Sequence, residues 1–208
     1  SRKIMNNDYS YYNSFSIFDS QLNLIDNYNK INLVPFGEFV PVENMLNKFG
    51  LKTITNNIGS FNKGDNRDII QLKNGDKKLN FLPLICYEII YSGNLTRNFE
   101  FDFILNISED GWFGKSIGID QHFFHSVFRS IEEGKNIIRS ANNGISAYID
   151  SNGVIVSKLE STKKGVIEIN NYKSIKKTFF SKFGNNIFFY FILFYIILIF
   201  FNFKKREK

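Results

Sequence analysis

From Ile187 to Phe201 the chain runs fifteen residues without a charged or strongly polar side chain, and Phe203 lies just beyond. Fifteen helical residues rise only about 22 Å, against about 30 Å of bilayer hydrocarbon. Extending the run to residues 183–203 gives a sufficient length, with Gly184 and the asparagines near the interfaces. A stretch that is apolar on every side is either a membrane span or a deeply buried core helix. The basic cluster Lys204, Lys205, Arg206 and Lys208 that closes the chain favours the membrane. We therefore expect a transmembrane helix at 183–203 and a basic tail at 204–208. Lys173, Lys176, Lys177 and Lys182 flank the other end, so charge alone does not orient the span.

Residues 1–180 remain, enough for one sizeable core. The net charge of +6 would suit nucleic acid or an anionic surface. Outside the C-terminus the lysines are scattered rather than striped, which argues against nucleic acid. The 24 Phe and 10 Tyr, with Ile, Asn and Lys also abundant, are read as AT-rich coding bias and given no function. The first residues carry no apolar core of a signal peptide and do not begin with Met. The chain is thus expected to be a piece of something longer.

Cys86 is the only cysteine, so neither an internal disulfide nor a multi-cysteine metal cage is available. It ends the apolar run Leu82-Pro83-Leu84-Ile85, with Glu88 two residues on. That is the layout of a nucleophile at the tip of a buried strand with a carboxylate beside it. The plain alternative is a small buried hydrophobe.

Along the rest of the chain, Phe15–Phe18 and Leu22–Ile25 flank Asp19-Ser20-Gln21 as a hairpin. Residues 42–66 read as a helical or loop insertion. Asp68–Leu72 and Lys78–Ile85 flank Asn74-Gly75, a strong turn signal. Phe101–Ile107 reads as a buried strand. Ile119, Phe123, Phe124, Val127, Phe128 and Ile131 mark one helical face. Asn136–Arg139, Ile145–Ile149, Val154–Val156 and Val166–Ile169 read as short strands. Strands dominate over one or two helices, which makes the class α/β or α+β. His122 and His125 sit three apart on the helix, but no carboxylate or thiol cluster joins them, so no metal is expected. No cofactor motif is present. Asn142-Asn143-Gly144 reads as a turn.

A thiol attacks as thiolate, which a neighbouring cation favours, and the reaction needs a proton acceptor as well. The candidate cation is Lys30. It leads into Val34-Pro35-Phe36-Gly37-Glu38-Phe39-Val40-Pro41, a loop stiffened by two prolines that presents Glu38 from a fixed backbone.

These segments together resemble the carbon–nitrogen hydrolase (nitrilase) superfamily and, within it, the apolipoprotein N-acyltransferases of bacterial inner membranes. Lys30 to Pro41 is similar to that family's lysine motif, with Asn32 where the family has histidine. Leu84-Ile85-Cys86-Tyr87-Glu88 matches its cysteine motif. Asn106 to Gly114 is similar to a third motif, with Glu109 where asparagine is usual. Gln121-His122, Arg129 to Glu132 and Arg139 to Ser146 continue the pattern over roughly residues 10–203. The resemblance implies an α-β-β-α sandwich facing the periplasm from the inner membrane, N-terminally incomplete over 1–180. It implies that Cys86 takes an acyl chain from a phospholipid as a thioester and passes it to the α-amine of a diacylglyceryl-cysteine on an apolipoprotein. Lys30 would stabilise the thiolate and the intermediate. Glu38, Glu88 and Tyr87 would be essential neighbours, and Trp112 would line the site.

The family's general-base glutamate precedes the lysine. Residues 1–29 contain Asp8, Asp19 and Asp26 but no glutamate. Three readings therefore stand: an acyltransferase whose N-terminal half is separately encoded or otherwise missing, an amidase of the same superfamily, or an inactive membrane-anchored remnant.

Overall fold

The structure is a computed structural model that describes residues 2–5, 8–41, 61–74, 77–93, 95, 100–170 and 177–206. Side chains are described over the same residues, less those of 2–9, 74, 77, 201 and 203–206. The expected insertion at 42–66 lies mostly outside them.

The centre is a six-stranded sheet: β5 (Ile70–Asn74), β6 (Lys77–Ile85), β7 (Phe103–Glu109), β8 (Asn136–Asn142), β9 (Ser146–Ile149) and β10 (Ile155–Leu159). The spatial order is β10-β9-β8-β7-β6-β5. Neighbours β6, β7 and β8 are parallel, and the three outer pairings are antiparallel. Two hairpins precede the sheet: β1 (Arg2–Met5) with β2 (Asp8–Tyr11), and β3 (Ser14–Phe18) with β4 (Leu24–Asn29). A 16-residue helix α1 (Gly118–Glu133) links β7 to β8. A short helix α2 (Phe179–Phe183) and α3 (Asn186–Arg206) close the chain.

Period-two alternation along the central strands builds two cores, one on each face. Leu82, Leu84, Ile104, Ile137, Ala147 and Ile149 turn to the helix side, where Ile89, Phe101 and Phe123 join them. Phe81, Ile85 and Ile70 turn the other way and meet Phe15 and Tyr28 of the β3–β4 hairpin. Each fully buried Leu, Ile or Phe contributes about 1.5–3 kcal/mol. The described layers are therefore helix, sheet and hairpin, an α/β sandwich in agreement with the expected class.

The β3–β4 hairpin was legible, although β4 runs on to Asn29 and so delivers Lys30, whereas the β1–β2 hairpin was not expected. At the β5–β6 connection Asn74 pairs with Lys77 across a two-residue turn outside the described residues. Residues 166–169 are not a strand: they run exposed or half-exposed and unpaired to any sheet. The helical face also differs from expectation. Phe123 is buried, but its buried companions on α1 are His122, Ser126, Arg129, Ser130 and Glu133, while Phe124, Phe128 and Ile131 are about half exposed. His122 and Ser126 turn inward to meet the buried Arg139 of β8, and Glu133 accepts from Ser181.

The C-terminal apolar run is helical, but not from residue 183. Gly184, at φ +54°, breaks the chain between α2 and α3. A Cβ there would meet the carbonyl oxygen of Gly93 at 2.2 Å, so only glycine permits this approach. The break is docked to the sandwich. Ser181 donates to Glu133 at 2.7 Å, and Asn185 donates to the carbonyl of Ser92 at 3.0 Å. On α3 side chains are described for residues 186–200 and at Asn202, and all from Phe188 to Phe200 are exposed. Fifteen such positions rise about 22 Å. Among the described residues no helix is long and apolar enough to cross a membrane.

Candidate active site

The carboxyl ends of β6, β7 and β8 lie side by side, because these strands are parallel. In open α/β sheets such ends form the crevice where ligands bind. Here they place Cys86 after β6, Glu109 and Asp110 at the end of β7, and Ser140 to Asn142 at the end of β8. The β4 strand brings Lys30 to the same place from the opposite layer. A cavity of about 590 Å³ opens there, lined by Lys30, Glu38, Cys86, Tyr87, Glu109, Trp112 and His122 and walled by Val34, Ile85, Ile107 and Phe113.

Cys86 starts a short 3-10 helix, Cys86–Ile90, with φ at +49°. A non-glycine residue in this left-handed region costs on the order of 1–3 kcal/mol and persists where its surroundings enforce it. The bend lifts the half-buried thiol from the sheet into the cavity.

Lys30 is 1% exposed and paired with Glu38, whose two carboxylate oxygens lie 2.9 and 2.8 Å from Nζ. Glu38 also accepts from Asn13 Nδ2 at 2.6 Å and from the Val34 amide at 2.8 Å. The loop is closed by turns, with Phe36 at φ +60° and both Gly37 and Glu38 amides donating to the Val34 carbonyl. Glu38 therefore secures the lysine and closes its own loop. Four hydrogen bonds from three donors leave both of its oxygens committed.

Glu88 does not line the cavity. It is fully buried behind it and accepts five hydrogen bonds: from Tyr28 Oη (2.7 Å), the Ile31 and Asn32 amides (3.0 and 3.1 Å), Arg67 Nη2 (3.1 Å) and the Ile85 amide (2.9 Å). Burial, and next the charge of Glu88, raise the Tyr28 hydroxyl well above its usual range. Asn32, in place of the expected histidine, accepts from Arg67 at 2.6 Å. Tyr87 is half-buried and packs edge-on against Tyr91 at 5.6 Å. Trp112 sits at the rim, 81% exposed.

Beneath the cysteine lies a charged cluster to which sequence reasoning assigned no role. Arg139 and Asp110 are both fully buried and meet at 2.7 Å. Asp110 also lies 2.9 Å from His122 Nδ1 and accepts from Ser108 at 2.6 Å. Burial pushes the Asp110 carboxyl up, but the His122 bond, the Arg139 charge and the Ser108 bond outweigh it and hold it at about 2. Arg139 further donates to Asn106 and to the Ile145 carbonyl, and Asn106 donates to the Leu84 carbonyl at 3.1 Å. His122 Nε2 lies 3.3 Å from the carbonyl oxygen of Cys86. The ring thus connects Asp110 to the backbone of the strained cysteine. One signal was available: an arginine inside Ile137-Ile138-Arg139 demands a buried anion. Gly144 is fixed by this cluster, since a Cβ there would meet Asp110 Oδ2 at 2.1 Å.

Asn142-Asn143-Gly144 is a turn, as read, and also a clamp. Both asparagine side chains donate to Glu109, and the Gly111 amide does so at 2.8 Å.

A parallel-centred α/β sandwich that sets a cysteine at a strand end beside a buried lysine–carboxylate pair is the class of fold these observations define. The carbon–nitrogen hydrolase family model matches residues 2–170, and the chain belongs to that family. Among curated proteins it is 39% identical over 159 residues to the apolipoprotein N-acyltransferase of Rhizobium rhizogenes, covering 76% of this chain and 29% of that one. It is 41% identical over 160 residues to that of Sinorhizobium fredii, with 76% and 30% covered. It is 35% identical over 190 residues to that of Rhizobium etli, with 91% and 35% covered. The chain thus spans about a third or less of the length of these relatives. An amidase from Nesterenkonia sp. overlaps 71% of this chain and 51% of its own at 14% identity and a TM-score of 0.48, too loosely to bear on function.

Proposed function

We propose that this chain carries the nucleophile half of an apolipoprotein N-acyltransferase site. The observation that supports it best is the convergence of Cys86 and the Lys30–Glu38 pair on one cavity with apolar walls. In this reading the Cys86 thiolate attacks the ester carbonyl of a phospholipid. A carbon–sulfur bond forms, the ester carbon–oxygen bond breaks, and the lysophospholipid hydroxyl leaves with a proton. The amine of a diacylglyceryl-cysteine then attacks the thioester. A carbon–nitrogen bond forms, the carbon–sulfur bond breaks, and the amine proton leaves to a base while the thiol is regenerated.

Lys30 would face the oxyanion of both intermediates. Val34, Ile85, Ile107, Trp112 and Phe113 suit an acyl chain. Glu88 acts as a positioning residue rather than a reacting one. Glu38 and Glu88 are occupied by donors, and the reading assigns the proton acceptor to a group outside the described residues. The all-round exposure of apolar α3 supports anchorage through that helix rather than from residue 183, in this reading in a bacterial inner membrane with the sandwich facing the periplasm.

The test is mass spectrometry of the protein after incubation with phospholipid vesicles. An acyl mass on Cys86 that transfers to a diacylglyceryl peptide, and is lost in Cys86→Ala, supports the reading. A thiol that never acquires an acyl group sinks it.

A further inference from the structure

Glu109 ends β7 and lines the same cavity as Cys86 and Lys30. The neighbouring charges are matched: Lys30 pairs with Glu38 and, beneath the cavity, Arg139 pairs with Asp110. Among the described residues Glu109 is in no ion pair. It is nonetheless built into place. Oε1 accepts from the Gly111 amide at 2.8 Å and from Asn143 at 3.1 Å, and Oε2 accepts from Asn142. Asn143 reaches it from a left-handed backbone at φ +56°. Gly111 is kept small by it, since a Cβ there would meet Oε1 at 2.6 Å.

Three neutral donors fix a carboxylate without cancelling its charge. They also favour its ionised form. The Asn143 bond, then the Gly111 amide and Asn142, hold the Glu109 carboxyl below the usual range. Such a group is a weaker proton acceptor than an unbonded glutamate. It is well suited to hold a cation, because the anion is present and oriented before the ligand arrives. An asparagine, the usual residue of the resembled motif, has one acceptor oxygen and no charge.

We infer that Glu109 is a specificity residue that binds the primary ammonium of the acyl acceptor beside the Cys86 thioester. This rests on the acyl-transfer reading above. The acceptor docks as ammonium, gives its proton to the base of the reaction, and attacks as the neutral amine.

The experiment measures transfer from the preloaded thioester in the full reading frame that contains this chain. Two acceptors are compared: a diacylglyceryl peptide with a free amine, and hydroxylamine, which is mostly neutral near pH 7. In Glu109→Gln the KM for the peptide should rise about tenfold or more relative to the KM for hydroxylamine, as expected when a charge-assisted hydrogen bond is lost. Glu109→Asp, which keeps the charge, should restore much of that ratio and guards against a folding artefact. An unchanged ratio in Glu109→Gln, or an aspartate variant no better than the glutamine one, overturns the inference. If the wild-type protein forms no thioester at all, the acyl-transfer reading fails first and this inference with it.

Discussion

The Oε1 of Glu88 lies 3.0 Å from the backbone nitrogen of Ile31, although 57 residues separate them in the chain. Its Oε2 takes the amide of Ile85, directly before the nucleophile. One buried carboxylate therefore ties the end of the lysine-bearing strand to the end of the cysteine-bearing strand. In Glu88→Gln the new amide group would face donors, and the pairing with Arg67 would lose its charge. A misplacement near 1 Å costs about 10²-fold in rate. We expect turnover to fall by about that factor while Cys86 still reacts with iodoacetamide. A variant that turns over normally would show that the carboxylate is dispensable for alignment.

Lys30 is the cation held at the cavity wall, with Glu38 keeping it there. Lys30→Met should slow alkylation of Cys86 at pH 7.5 by about tenfold or more, since a nearby cation favours thiolate. Glu38→Gln keeps the lysine but loosens it, so the slowing should be smaller. Equal alkylation rates in wild type and Lys30→Met would remove Lys30 from the thiol's surroundings.

The Arg139–Asp110 pair is a stability element with a defined pH signature. The Asp110 carboxyl is held at about 2 in the fold, against an ordinary 3.8. A depressed carboxyl stabilises the fold above its unfolded value, and that contribution fades as pH falls through about 4 to 2. Its size is on the order of 2 kcal/mol. Asp110→Asn should abolish this part of the acid-side slope in urea titrations between pH 5 and 2.5. At neutral pH it should cost roughly 3–5 kcal/mol, because Arg139 is left buried without its counter-ion. A variant with wild-type stability and slope would refute the assignment.

Anchorage is tested by truncation. Ser181 and Asn185 dock the α2 region onto the sandwich, so a chain ending after Asn185 keeps those contacts and loses only α3. It should move from the detergent-requiring fraction to the soluble one and keep its fold by circular dichroism. A full-length chain that stays soluble and monodisperse without detergent would contradict the membrane reading.

The 208-residue chain by itself should load but not cycle. Glu38 and Glu88 are occupied by donors, Glu109 is held as an anion, and general bases contribute about 10²–10⁴-fold. We expect acyl-Cys86 to accumulate with little release, and turnover to appear when the sequence that the relatives carry beyond the matched third is supplied. Many cycles from this chain alone would force one of these carboxylates, or His122, into the base role.

The positions of Cys86 and Lys30 were legible because their motifs are local: an apolar strand ending in Cys86, and a proline-framed loop after Lys30. Hairpins and central strands were legible from short-range alternation for the same reason. The residues 166–169 failed as a strand because a short apolar run has no way to signal whether a pairing edge exists for it. The α1 face was misjudged because hydrophobic periodicity presumes an apolar neighbour, whereas the neighbour is Arg139. The roles of Glu88, Asp110, His122 and Glu109 belong to the tertiary structure. Each depends on which donors, cations and carbonyls a carboxylate or imidazole meets after strands distant in sequence are laid side by side. The sequence by itself determined where a thiol, a lysine and an apolar helix stand. Only the packed sheet decided which acidic groups are committed to holding them and which one still faces the cavity with its charge unpaired.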